Sequence, residues 1–354
     1  MKKLLFFTAL LLTLYVGCQT DRAKLRRVNL SVEVQRFDRD LFALDLDSLR
    51  EQVPALQQKY GEFFRLFCTG IIGIGEPTDE DFLGNRHDFL TDEALDANFE
   101  GSFFDNLYDF LTNEVVSESF EAAQEVFVDM KWLNSELTKA FKRYTLAFPG
   151  DSIPDVIAYV AGFNQSIMLA DGLIGIGLDK YLGADYELYD YLGFFRYVSR
   201  NMYPTKIPSD VMRSWAAGKF PMQTAQNDLL SHIVWEGKLL YFTKQMLPAH
   251  PDTSIFGFTA EQLKLCENNE RFMWLQLIER KLLFSTHQFT IARFTQERPF
   301  TQDFSQEAPG RAANWLGYRI VQQYMRRTNA TLVELMNNNN YREILEKSGY
   351  NPRR

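Results

Sequence analysis

Residues 225–247, Ala225-Gln-Asn-Asp-Leu-Leu-Ser-His-Ile-Val-Trp-Glu-Gly-Lys-Leu-Leu-Tyr-Phe-Thr-Lys-Gln-Met-Leu247, decide the fold. Placed at about 100° per residue, the apolar side chains from Leu229 to Met246 cover most of one helix's circumference. A helix apolar almost all round is buried by other helices. Pro248 stops it, because proline neither donates to nor fits a helix interior.

Helical patterns dominate the chain beyond residue 210. Thr259 and Gln262 form a capping box opening a helix to about Ser285. Another helix follows Pro309, a residue suited to a first helical turn. Shorter ones start at Thr331/Glu334 and Asn340/Glu343, with the four asparagines 337–340 as the loop between them. Upstream, Ser48 and Glu51 form a capping box before the series Leu49, Val53, Leu56, Tyr60, Phe63 and Phe67. A long helical region spans about 119–146 and ends at Phe148-Pro-Gly150. The Asp/Asn-rich segment 76–114 mixes turns with short helices.

Three stretches read differently. Val28, Leu30, Val32 and Val34 alternate with polar residues, predicting a half-buried strand. Val156, Ile157, Tyr159 and Val160 predict another. The apolar run 167–178 carries Gly172, Gly175 and Gly177 among β-branched residues, which favours strands or a hairpin with close backbone packing. Together these patterns predict an α+β fold, predominantly helical with a small β-sheet, as a single domain over 28–354.

The N-terminus predicts export. Lys2 and Lys3 precede an apolar run of 13 residues, 4–16, then Gly17 and Cys18. The run is too short to span a bilayer core of about 30 Å. It reads as a signal peptide over 1–17, with Cys18 lipidated and 18–27 as a polar tether. No acidic run follows Cys18, so a periplasm-facing lipoprotein of a bacterial envelope is expected, with inner or outer membrane left open. Losing Lys2 and Lys3 moves the formal charge from -8 to -10. That balance argues against nucleic acid as a partner and against electrostatic adhesion to anionic lipid, so that the lipid on Cys18 would have to provide the attachment. The 46% of hydrophobic residues suffices for a large core. Cys68 and Cys266 are two cysteines rather than a disulfide framework, and buried thiols are expected.

Chemistry is sparse. His232, Glu236 and Thr243 share one stripe of the apolar helix, and buried ionisable groups need partners. A His232–Glu236 hydrogen bond is the favoured reading. The alternative is a metal site of His232, Glu236 and Glu270, because zinc needs at least three protein ligands. The H-E-x-x-H signature is absent, as Ile233 follows His232. Glu267 and Glu270 fall on one face of the next helix; Glu267, His250 and His287 read as exposed residues. Asp171 and Asp179 read as turn or capping carboxylates. Neither a G-x-S-x-G elbow nor a phosphate loop occurs. No cofactor is expected, with zinc as the alternative.

Three segments carry a resemblance: Leu178-Asp-Lys-Tyr-Leu-Gly183, Glu236-Gly-Lys-Leu-Leu-Tyr241, and Pro309-Gly-Arg-x-x-x-Trp-Leu-Gly-Tyr-x-Ile-Val-x-x-Tyr-Met325. Together with the lipoprotein start they resemble the GldB gliding-motility lipoprotein family of Bacteroidetes, from about Val28 to the C-terminus. In the third segment Gly310 and Gly317 permit close approach of a neighbour. Arg311, Trp315 and Arg319 share a helical face, suited to a buried salt bridge with Glu236 or Glu270, or to an anionic ligand. The resemblance implies a non-catalytic envelope lipoprotein supporting gliding and its linked type IX secretion apparatus, with envelope proteins as partners and no catalytic residues to carry over. A fainter likeness to a degenerate zincin-like core implies the alternative, a divergent metal-dependent hydrolase using His232 and Glu236.

Overall fold

The computed structural model describes residues 23–78 and 102–353. Contacts gather into two units, each assembled from separate stretches of chain. One takes the described residues of Val34–Met130 and Pro154–Ile207; the other takes those of Met1–Glu33, Lys131–Ile153 and Pro208–Arg354. The fold is α+β and mostly helical, with one small mixed sheet among the described residues, as the sequence patterns predict.

The first unit holds the sheet, in the order β1 (Val34–Arg36), β2 (Asp155–Tyr159), β4 (Leu173–Gly177), β3 (Ile167–Ala170). β1, β2 and β4 run parallel, and β3 turns back against β4 through Gly172, whose φ of +70° suits the tight reversal. Added Cβ atoms would strike Tyr159 at Gly175 and the Gln165 carbonyl at Gly177, so these glycines serve close packing. Asp179 follows β4 and is fully buried. Its carboxylate accepts from the backbone N–H groups of Ala161 (3.0 Å) and Phe163 (2.7 Å), capping the turn after β2. Burial raises its pKa against those donors.

Aromatic edges build this unit's core: Phe37 meets Tyr60, Phe63 and Phe67 at centroid distances of 4.9, 5.1 and 4.8 Å. Helix α1 (Leu49–Tyr60) buries Leu49, Val53, Leu56 and Tyr60 as its spacing predicts. Gly61, at φ +50°, then breaks the path before α2 (Glu62–Leu66), so Phe63 and Phe67 do not continue one helix. The expected Ser48/Glu51 capping box does not form; the Ser48 hydroxyl donates instead to Asp45 (3.0 Å) and accepts from Gln52 (2.6 Å). After the undescribed part of 76–114 come α3 (Phe103–Thr112) and α4 (Glu114–Val126).

The predicted helix over 119–146 is broken. α4 stops at Val126, and α5 (Lys131–Ala147) opens the second unit's helices. In that unit residues 28–33 keep the burial alternation of a strand without joining the sheet. The Val32 N–H donates to the Thr138 hydroxyl on α5 at 2.9 Å, so a side chain substitutes for a neighbouring strand. Residues 23–27 form a helical turn that buries Leu25.

Among the further helices are α6 (Ile207–Lys219), α7 (Leu229–Met246), α8 (Ala260–Asn268), α9 (Glu270–Glu279), α10 (Gln288–Thr295), α11 (Ala312–Thr328), α12 (Leu332–Asn337) and α13 (Tyr341–Ser348). α7 is buried around most of its circumference, packing against α11, α13 and α5. Asp228 caps it by accepting from Ser231 N–H at 2.9 Å. The capping boxes at Thr259 and Thr331 form, and Asn340 caps α13. Asn269 interrupts the helix expected to reach Ser285, separating α8 from α9. Pro309 precedes α11 rather than opening it: Arg311, at φ +63°, is the cap residue and Ala312 the first helical one. No helix among the described residues is long and apolar enough to cross a membrane.

Candidate functional site

The predicted polar stripe of α7 separates into individual partnerships. His232 Nε2 lies 2.8 Å from Asn227 Oδ1, and Glu236 receives Arg213 of α6. Thr243 donates back to the Leu239 carbonyl at 2.8 Å. The expected His232–Glu236 hydrogen bond therefore does not form. Burial lowers the His232 pKa, against the pull of Glu236 and Asp228. The Glu236 carboxylate holds Arg213 above the usual guanidinium range.

Glu270 is drawn elsewhere. Arg319 Nε donates to it at 3.0 Å and the Tyr350 hydroxyl at 2.8 Å, while the Arg319 guanidinium lies 5.6 Å from the Trp315 ring centroid. One of the two predicted salt-bridge partners, Glu270, is thus the partner of Arg319. Glu267 sits exposed on α8, across the Asn269 break and off the helix of Glu270. His287 is exposed, but His250 is not: its side chain is 10% accessible and Nε2 contacts Glu136 at 3.0 Å. Among the described residues no three His, Cys, Asp or Glu side chains converge as a metal site would require.

A different cluster forms where α6, α7 and the start of α11 meet. Arg213, Glu236, Arg311, Asn314 and Trp315 surround a cavity of about 10 Å³, closed by Phe256 and Phe258. Burial pushes the Arg311 guanidinium down, and the neighbouring Arg213 charge adds to this, while Glu297 at 2.7 Å opposes both. Asn314 donates to the Thr295 carbonyl at 3.1 Å, leaving its buried Oδ1 without a partner among the described residues. A cavity of this size suits one water bridging such atoms. The arrangement can fix three helices; it has no room for a substrate. Arg311 and Trp315 belong to it as the shared face predicts, whereas Arg319 lies a turn further along with Glu270. Arg213 was not legible: a buried carboxylate calls for a cation, but 38 Lys and Arg offer themselves without distinguishing spacing.

Lys238 is a second group that periodicity hides among apolar neighbours. It is 1% accessible, donates to the Asn338 carbonyl at 2.9 Å, and lies 5.4 Å from the Tyr341 ring centroid. Burial lowers its pKa to about 8. Cys68 and Cys266 are free and buried, as expected, and burial raises both thiols to about 12. Cys18 lies outside the described residues.

The glycines of the second and third family-like segments explain themselves structurally. A Cβ on Gly237 would enter the Gly317 backbone, and one on Gly317 the Ile233 carbonyl; Gly310 is held as closely by Arg298. No curated protein and no solved structure matches the chain. Its sequence does match the family model described as gliding motility protein GldB, over residues 18–352. The chain belongs to the GldB family of gliding motility proteins.

Proposed function

We propose that the chain is a non-catalytic accessory lipoprotein of the bacterial envelope, anchored by lipid on Cys18 and facing the periplasm. It supports the gliding apparatus and the type IX secretion machinery linked to it by binding envelope proteins of that assembly. The observation that carries the reading is the near full-length family match, which begins at Cys18. The committed partnerships of His232, Glu236 and Glu270 support a scaffold rather than a reaction centre.

Complementation of a deletion strain tests it. Wild type and His232→Ala should both restore gliding and secretion, and Cys18→Ala should not. Loss of gliding with His232→Ala, together with stoichiometric zinc in the wild type that this variant lacks, would replace the reading with a metal-dependent hydrolase. A deletion that leaves gliding and secretion intact would remove the functional assignment.

A further inference from the structure

The turn at 23–27 and helix α5 enclose an open groove of about 540 Å³. Arg26, Lys131, Lys139 and Lys142 line it, with Ser31 and Asn134 beside them, and no carboxylate is among its described lining residues. In a chain of formal charge -8 this is a local inversion of sign. Lys24 and Arg27, exposed on the same turn, extend it. Glu136, the nearest acid on α5, is engaged by Lys139 at 2.6 Å and His250 at 3.0 Å.

Helix α5 adds an apolar element to this basic surface. At about 100° per residue, Trp132, Lys139 and Leu146 fall on one face, one heptad apart, with Lys142 beside them. Trp132 and Leu146 are exposed at 44% and 46%. Tryptophan flanked by lysines is the composition of a surface that rests at a membrane interface. Position supplies the partner. Four residues lie between Cys18 and Ala23, and the five Cα-to-Cα steps across them reach at most about 18 Å. A lipid on Cys18 would therefore hold the basic turn beside the bilayer, where headgroup charge acts within a Debye length of about 8 Å.

We propose that this groove and the outer face of α5 form a membrane-docking surface for anionic phospholipid headgroups. It orients the folded body on the bilayer to which Cys18 anchors it. The proposal rests on the lipid-anchor reading. Arg26 and the α5 lysines meet phosphates while Trp132 enters the interfacial layer. Each basic residue at an anionic surface strengthens association roughly fivefold, so reversing three should weaken it by a hundredfold or more.

The full lipidated chain, reconstituted on brominated phosphatidylcholine vesicles with or without phosphatidylglycerol, provides the test. Trp132 quenching is read as the difference from Trp132→Phe. It should appear with phosphatidylglycerol, and be lost in high salt and in the Arg26→Glu/Lys139→Glu/Lys142→Glu variant. Salt sensitivity of the wild type decides the matter even if that variant misfolds. Equal quenching on vesicles lacking phosphatidylglycerol, or none with it, overturns the docking surface. Co-flotation with pure phosphatidylcholine reports the anchor separately. If it is absent the anchor reading fails, and docking is then read from salt-sensitive flotation on phosphatidylglycerol vesicles.

Discussion

Gly237 of α7 and Gly317 of α11 meet backbone to backbone, each at a place where a single added carbon would strike the other helix. This contact sets the approach of the most buried helix to its main neighbour. An exposed helical glycine replaced by alanine gains roughly 1 kcal/mol of helix propensity. Here the sign reverses, because overpacking costs about 1–3 kcal/mol or more. Gly237→Ala and Gly317→Ala should each lower the midpoint of denaturant unfolding, and the double variant should lose less than the sum. Additive losses would show that the two glycines do not share one contact.

The Arg213–Glu236 pair should be coupled. Removing one member leaves the other charge poorly solvated, so Arg213→Met and Glu236→Gln should each cost about 2 kcal/mol, with a coupling energy of at least about 1 kcal/mol in a double-mutant cycle. His232→Ala, which removes a partly exposed contact to Asn227, should cost less than either.

Lys238 supplies a pH dependence of unusual sign. Its folded pKa of about 8 lies below its ordinary 10.5. The unfolded chain therefore holds the extra proton between those values, and stability from this group rises with pH across that window. Below pH 8 both states are protonated and the burial penalty is constant. Lys238→Met should stabilise the protein at pH 7 and flatten the rise between pH 8 and 10.5, as read by urea unfolding.

Glu270 ties Tyr350, just beyond α13, to α11 through Arg319. Tyr350→Phe should cost about 1 kcal/mol, and Glu270→Ala about 2 kcal/mol or more because it strips both donors. Amide exchange around α13 should quicken in each variant. Unchanged exchange there would mean that the contact does not secure the terminus.

Cys68 and Cys266 should resist a water-soluble disulfide reagent in the folded chain and react on unfolding. Burial both hides each thiol and holds its pKa near 12, so little thiolate exists at neutral pH.

Legibility followed the range of the forces involved. The all-round apolarity of 229–246, the hairpin of 167–177 and the capping boxes at Thr259 and Thr331 are local signals, and the structure keeps them. Breaks were poorly legible. Asn269 and residues 127–130 interrupt helices without the proline or glycine that usually announces a stop, whereas Gly61 was visible but overridden by a continuous apolar pattern. Residues 28–33 show period-two burial without a sheet, because Thr138 satisfies Val32 from another element. The site failed for a related reason. The His232/Glu236 spacing is correct for neighbours on one helix face, but each side chain found a nearer partner outside the helix.

The interleaving of the two units carries a consequence for biogenesis. The chain passes between them at Glu33/Val34, Met130/Lys131, Ile153/Pro154 and Ile207/Pro208. Synthesis from the N-terminus delivers both cores in instalments. The first can close only after Ile207 has emerged, and the second waits for the final helices. Until then aromatic surface such as Phe37, Phe63 and Phe67 lacks its full cover, and sequence-distant contacts of this kind assemble slowly. Separating the chain at Met130/Lys131 or at Ile153/Pro154 therefore leaves two unfinished cores rather than one intact half.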